Sequence, residues 1–139
     1  NPKAIETIKQ LAISIGAQWI TAKADIHDQA VALISHLPVL ISANLLKIIA
    51  EEKDPKTLRL AKSLASTGFS DTTRIGGGNP DLGLSIMKSN TQSILELIKL
   101  YKSSLEELES KIILKEWEAL KEELENSKEI RKNFLNKQV

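Results

Sequence analysis

Arg74 lies in a stretch with few other cations and many small donors, Asp71-Thr72-Thr73-Arg74-Ile75-Gly76-Gly77-Gly78-Asn79-Pro80. A guanidinium there offers a planar fork to a carboxylate or phosphate, with the Thr72 and Thr73 hydroxyls and free glycine N–H groups alongside. That makes it a candidate anion site. The ordinary alternative is a helix-capping or Asp71-paired surface arginine. Gly76-Gly77-Gly78 holds half of the six glycines in the chain, so this stretch is expected to be a loop with a specific purpose. It is not a dinucleotide fingerprint, because it lacks both the glycine spacing and a preceding strand.

The two histidines are His27, followed by Asp28, and His36, within Ser35-His36-Leu37-Pro38. Each has a structural explanation: His27-Asp28 as the first turn of a helix whose dipole favours a carboxylate, and His36 as a neutral imidazole bonded to a backbone carbonyl. At 100° per residue the two histidines point oppositely unless Pro38 bends the path. With no His-Glu-x-x-His and no cysteine, no metal is expected. Ser35 faces about 100° away from His36, which argues against Ser-His hydrolysis.

Helices must position these residues. Ala4, Ile5, Ile8, Leu11, Ala12 and Ile15 step as an amphipathic helix that Gly16 stops, and Ala17 to Ala24 reads as briefly extended before Asp25 caps the next helix. From Ile26 to Ala50 only Asp28 and Lys47 are charged, and apolar side chains occur on every face, the pattern of a buried helix. A membrane span is the competing reading. The interruptions Ser35, His36, Pro38, Ser42, Asn44 and Lys47 favour the core helix, since inserting them in lipid is costly. Pro38 is expected to kink it, because its ring removes the bond to the Ile34 carbonyl. Asp54-Pro55 opens a short helix that Gly68 ends, and Asp81 starts another. Two further runs, Ile94 to Ile112 and Trp117 to Phe134, predict a C-terminal helical hairpin with Lys and Glu on its wet faces.

The class is therefore all-α. A chain of 139 residues, 42% hydrophobic and 27% charged, suits one globular domain with a single core. The net charge of +1 and the lack of a long basic run argue against a nucleic-acid partner. The absence of cysteine removes thiol chemistry and fits a cytoplasmic protein. The chain opens at Asn1 and its single methionine is Met87, so it is expected to be a piece of something longer.

Three stretches, His27 to Pro38, Gly68 to Arg74, and Asn79-Pro80 with Asn90, resemble signatures of the arogenate and prephenate dehydrogenases of tyrosine biosynthesis, specifically their helical C-terminal domain. The resemblance implies that residues 1–139 form a dimerisation and substrate-binding domain. An N-terminal Rossmann domain outside this chain would bind NAD or NADP and supply the catalytic histidine. It implies a homodimer, arogenate or prephenate as substrate, and oxidative decarboxylation to an aromatic product. Arg74 would bind a substrate carboxylate, His27 and His36 would lie near the reacting ring, and Asp71 and Thr73 would belong to the same pocket. No catalytic, cofactor or metal residue is expected in the chain itself, and no membrane partner. Val39 stands where many prephenate-using members have histidine, which hints at arogenate, and Gly83 stands where some have tryptophan. A reading from another class, a non-enzymatic all-helical interaction module, explains the periodicities equally well. It leaves the polar, glycine-rich stretch and the two histidines unexplained.

Overall fold

Three helices open in the same way: a side-chain acceptor stands one residue before a proline. Asn1 Oδ1 accepts from the Lys3 N–H, Asp54 accepts from Lys56 and Thr57, and Asn79 Oδ1 accepts from Asp81 and Leu82. The acceptor satisfies amides that the first turn leaves unpaired, and proline at the next position has no N–H to satisfy and a preset φ. The Lys56 and Thr57 N–H groups and the Thr57 hydroxyl hold the Asp54 carboxyl below its ordinary value of 3.8. A lowered folded-state pKa means that this cap is fully stabilising above the ordinary value and is lost as pH falls through the depressed one. An Asp54→Ala variant is thus expected to melt at a lower temperature than wild type at pH 7. The gap should close on acidification, and thermal melts across pH 2 to 7 would show it.

The computed structural model describes residues 1–136, and among them every regular element is helical. The order is α1 (Pro2–Ser14), α2 (Ala24–Val31), a π turn (Ala32–His36), α3 (Leu37–Glu51), α4 (Pro55–Leu64), α5 (Thr67–Thr73), α6 (Pro80–Ser89), α7 (Thr91–Ile113) and α8 (Trp117–Leu135). Together α2, the π turn and α3 make one 28-residue helical run, Ala24–Glu51, on which the rest is organised. It packs on α5 and α7, α6 leans on α7, and α7 and α8 form the expected hairpin, tied by the Lys111–Glu123 ion pair. Gly16 stops α1 as read from the sequence. At φ +77 it lets the Ala17 and Gly16 N–H groups bond back to Ala12 and Ile13.

Several sequence expectations are corrected. The Pro38 irregularity is a widened turn: the Leu37 N–H reaches back five residues to the Ala32 carbonyl, and Pro38 enters α3 in its first turn, where a missing donor is tolerated. Lys23, with extended backbone, is the N-cap of α2, and Asp25 sits one position inside, where the helix dipole favours it. The residues between α1 and α2 form no strand. Gly68 does not end α4, which stops at Leu64 because Ala65 leaves helical backbone. Ser66 then opens α5, so Asp71, Thr72 and Thr73 lie on a helix rather than in a loop. Pro80, not Asp81, begins α6.

The largest correction concerns burial. The run Ala24–Glu51 is long and apolar enough to cross a membrane, yet within this chain Ala32 and Ser42 are its buried residues, while Leu33, Ile34 and Ile48 are more than half exposed. Among the described residues the buried hydrophobics are Ala32 and Ile94 alone. The helices pack along one side of the run, and a single chain supplies nothing for the other. Uncovered apolar surface of this extent marks an interaction face.

Candidate functional site

Ser42, only 2% exposed, makes the contact that shapes the glycine stretch. Its hydroxyl donates to the Thr72 carbonyl at 2.7 Å and accepts from the Gly76 N–H at 2.8 Å. Those partners lie two residues to either side of Arg74, so one buried hydroxyl on α3 fixes both arms of the turn that presents the guanidinium. Gly76 must be glycine for this to work. A Cβ there would overlap the Ala43 amide nitrogen and the Ser42 carbonyl carbon and stand 2.6 Å from Ser42 Oγ. This is the purpose of Gly76: backbone against backbone, with no side chain between.

Arg74 itself is exposed at the C-terminal end of α5. Among the described residues no carboxylate pairs with it, so Asp71, three positions earlier on the same helix, does not occupy the fork. Thr73 is buried and its hydroxyl donates to the Phe69 carbonyl at 2.7 Å. Thr72 makes the equivalent bond to Gly68. Both hydroxyls have used their hydrogens within α5, which leaves them only as acceptors toward a ligand.

His36 lies in the π turn, half-buried, six residues before Ser42 and so about 9 Å from it along the helix. Its Nδ1 is 3.3 Å from the Asn90 side-chain nitrogen, and that nitrogen also donates to the Asp28 carbonyl at 2.7 Å. His27 is exposed, with its Nδ1 3.1 Å from the Asp28 carboxylate. Asn90 thus draws the two histidine motifs to the junction of α6 and α7, and Arg74 is fastened further along the same helical run. From the sequence, Ser42 reads only as a polar interruption, and Asn90 enters as part of a family signature without an assigned contact. A serine in an otherwise apolar helix was the available signal, and its partners, 30 and 34 positions away, were not.

Val39 and Gly83, the two departures from the family pattern, line one cavity of about 330 Å³ together with Ala43, Ile75, Gly76 and Met87. A larger apolar cleft of about 660 Å³ lies between α3, α4 and α5, walled by Ile49, Leu58, Ala61 and Phe69. Neither is lined by Arg74 or His36. Among the described residues no cluster of three metal-ligating side chains occurs.

Fold and site together define an all-helical domain built on a largely uncovered apolar run that bears His36 and holds the Arg74 turn. The family profile described as "Prephenate dehydrogenase, dimerization domain" matches residues 23–126, and the chain belongs to that family. The prephenate dehydrogenase of Lactococcus lactis subsp. cremoris is 29% identical over 126 residues, covering 91% of this chain and 35% of that protein. The crystal structure of Synechocystis arogenate dehydrogenase superposes with a TM-score of 0.89 at 36% identity, over 97% of this chain and 49% of that one. Prephenate dehydrogenase from A. aeolicus, in complex with hydroxyphenyl propionate and NAD+, gives a TM-score of 0.87 at 25% identity, over 96% and 46%. The chain therefore spans between about a third and a half of these relatives.

Proposed function

We propose that this chain is the dimerisation and substrate-binding part of a cytoplasmic NAD- or NADP-dependent dehydrogenase that oxidatively decarboxylates arogenate or prephenate in tyrosine biosynthesis. The observation that carries this reading is the Arg74 guanidinium, unpaired among the described residues and held on a turn clamped to the helical run that also bears His36. Arg74 takes a substrate carboxylate. Asp71 and Thr73 stand at the edge of that pocket, Thr73 as an acceptor, and His27 and His36 stand by the ring. Hydride leaves the ring carbon bearing the hydroxyl, and the electron pair of the breaking bond to carbon dioxide enters the ring to complete the aromatic product. The nicotinamide, when bound, accepts the hydride. This chain offers it no cradle: the glycine run is a turn packed on α3, with no strand before it among the described residues. Cofactor and catalytic histidine belong to a Rossmann domain outside this chain.

A second copy of the chain covers the exposed face of Ala24–Glu51, and neither a membrane nor a nucleic acid is needed as partner. Light scattering of the chain across a dilution series is expected to give a mass about twice 15.4 kDa at every concentration. A well-folded monomer would contradict the homodimer. The activity is tested on the intact enzyme by formation of reduced cofactor with arogenate and with prephenate. No turnover of either would overturn the assignment.

A further inference from the structure

Asn90 closes α6 and precedes α7, a place where an asparagine ordinarily turns its side chain onto the first amides of the helix it opens. Here it makes no such cap. The residue is 8% exposed, and its side chain crosses the fold to residues 62 and 54 positions earlier, Asp28 and His36. The Asp28 carbonyl can only accept, so the Asn90 atom 2.7 Å from it is the amide nitrogen. That nitrogen carries two hydrogens and no available lone pair. The one not given to Asp28 faces His36 Nδ1, which must therefore be the acceptor.

We infer that Asn90 is a positioning residue that locks neutral His36 in the tautomer with its hydrogen on Nε2, so that His36 meets the substrate as a hydrogen-bond donor and not as a base. Nε2 has no partner among the described residues, and no buried side-chain polar atom there is left unsatisfied, so Nε2 reaches solvent. It is free to donate to an oxygen of the ligand. This rests on the proposed dehydrogenase reading for the ligand's identity, a cyclohexadienol carboxylate, but not for the tautomer.

The test is histidine-selective 15N NMR of the intact protein without substrate, at a pH well above roughly 6.5, the ordinary histidine value. The His36 signals are identified by their loss in His36→Gln. The expected spectrum shows a pyrrole-type Nε2 and a pyridine-type Nδ1 in a single tautomer. Asn90→Ala should release a mixture, and Asn90→Asp, which can only accept, should move the hydrogen to Nδ1. A wild-type His36 protonated on Nδ1 overturns the inference, whether or not either variant folds. Asn90→Ala should also lower kcat/KM about tenfold, the scale of one orienting hydrogen bond. An unchanged kcat/KM beside a released tautomer would overturn the positioning role. The locked tautomer in a protein that turns over neither substrate would instead count against the dehydrogenase reading.

Discussion

Replacing Arg74 with glutamine is expected to raise KM for arogenate or prephenate about a hundredfold while leaving kcat within severalfold. A bidentate guanidinium–carboxylate contact is among the strongest polar interactions a site can make, and it is present in the bound substrate as well as in the transition state. Loss of such uniform binding appears in KM rather than in kcat. Because no carboxylate among the described residues pairs with Arg74, removing it orphans no partner within the fold. Thermal stability should therefore be nearly unchanged, which separates a binding defect from a folding one. Arg74→Lys should recover only part of the loss, since an ammonium keeps the charge without the planar fork. Steady-state kinetics on the intact enzyme decide the matter, and an unchanged KM in Arg74→Gln would remove Arg74 from the site.

Gly76→Ala should be the most damaging single-methyl change in the chain. The added Cβ meets backbone atoms of Ser42 and Ala43, which cannot swing aside as a flexible side chain could. Either α3 and the turn separate, breaking both Ser42 bonds, or the turn distorts and carries Arg74 with it. Overpacking of this kind costs about 3 kcal/mol, a large share of a small domain's stability. A fall of about 10 °C in melting midpoint is expected. Gly83→Ala is the control, since its Cβ would meet nothing within 4 Å. Equal midpoints for the two variants would show that Gly76 is not held against α3. Ser42→Ala tests the same clasp from the other side, removing the partner of the part-buried Gly76 N–H and of the Thr72 carbonyl, and is expected to lower the midpoint as well.

The two predictions concern different properties of one turn. Arg74 faces outward and is expected to matter for binding alone, while Gly76 faces α3 and is expected to matter for folding first. Asn90 and Ser42 play parallel parts, each a buried polar residue on one element, Asn90 bonded to His36 and Ser42 to the two arms of the turn that carries Arg74. Apolar contacts are non-directional, whereas hydrogen bonds fix particular atoms against one another. Directional hydrogen bonds at two points along Ala24–Glu51 set where His36 and the Arg74 turn stand relative to each other.

Much of this was legible in the residues. The helical class, the hairpin and the Gly16 stop followed from periodicity and glycine placement, and the cap at Asp54 followed from Asp-Pro, because these signals act within a few residues. His27, His36, Asp71, Thr73 and Arg74 were singled out by type and spacing, and the resemblance of their motifs led to the family that residues 23–126 match. Tertiary structure decided the rest. Gly68 and Asp71 to Thr73 joined a helix because Ser66 opens one and α3 offers it a surface to pack against. The helix expected to be buried is largely exposed, since hydrophobicity marks an apolar face without saying what packs on it. Only the folded chain could show that Ser42 clasps the turn around Arg74 and that Asn90 holds His36, because those bonds join residues 30 to 62 positions apart. No local pattern encodes a pairing at that distance. It depends on how the helices come to rest against one another, and packing determines that.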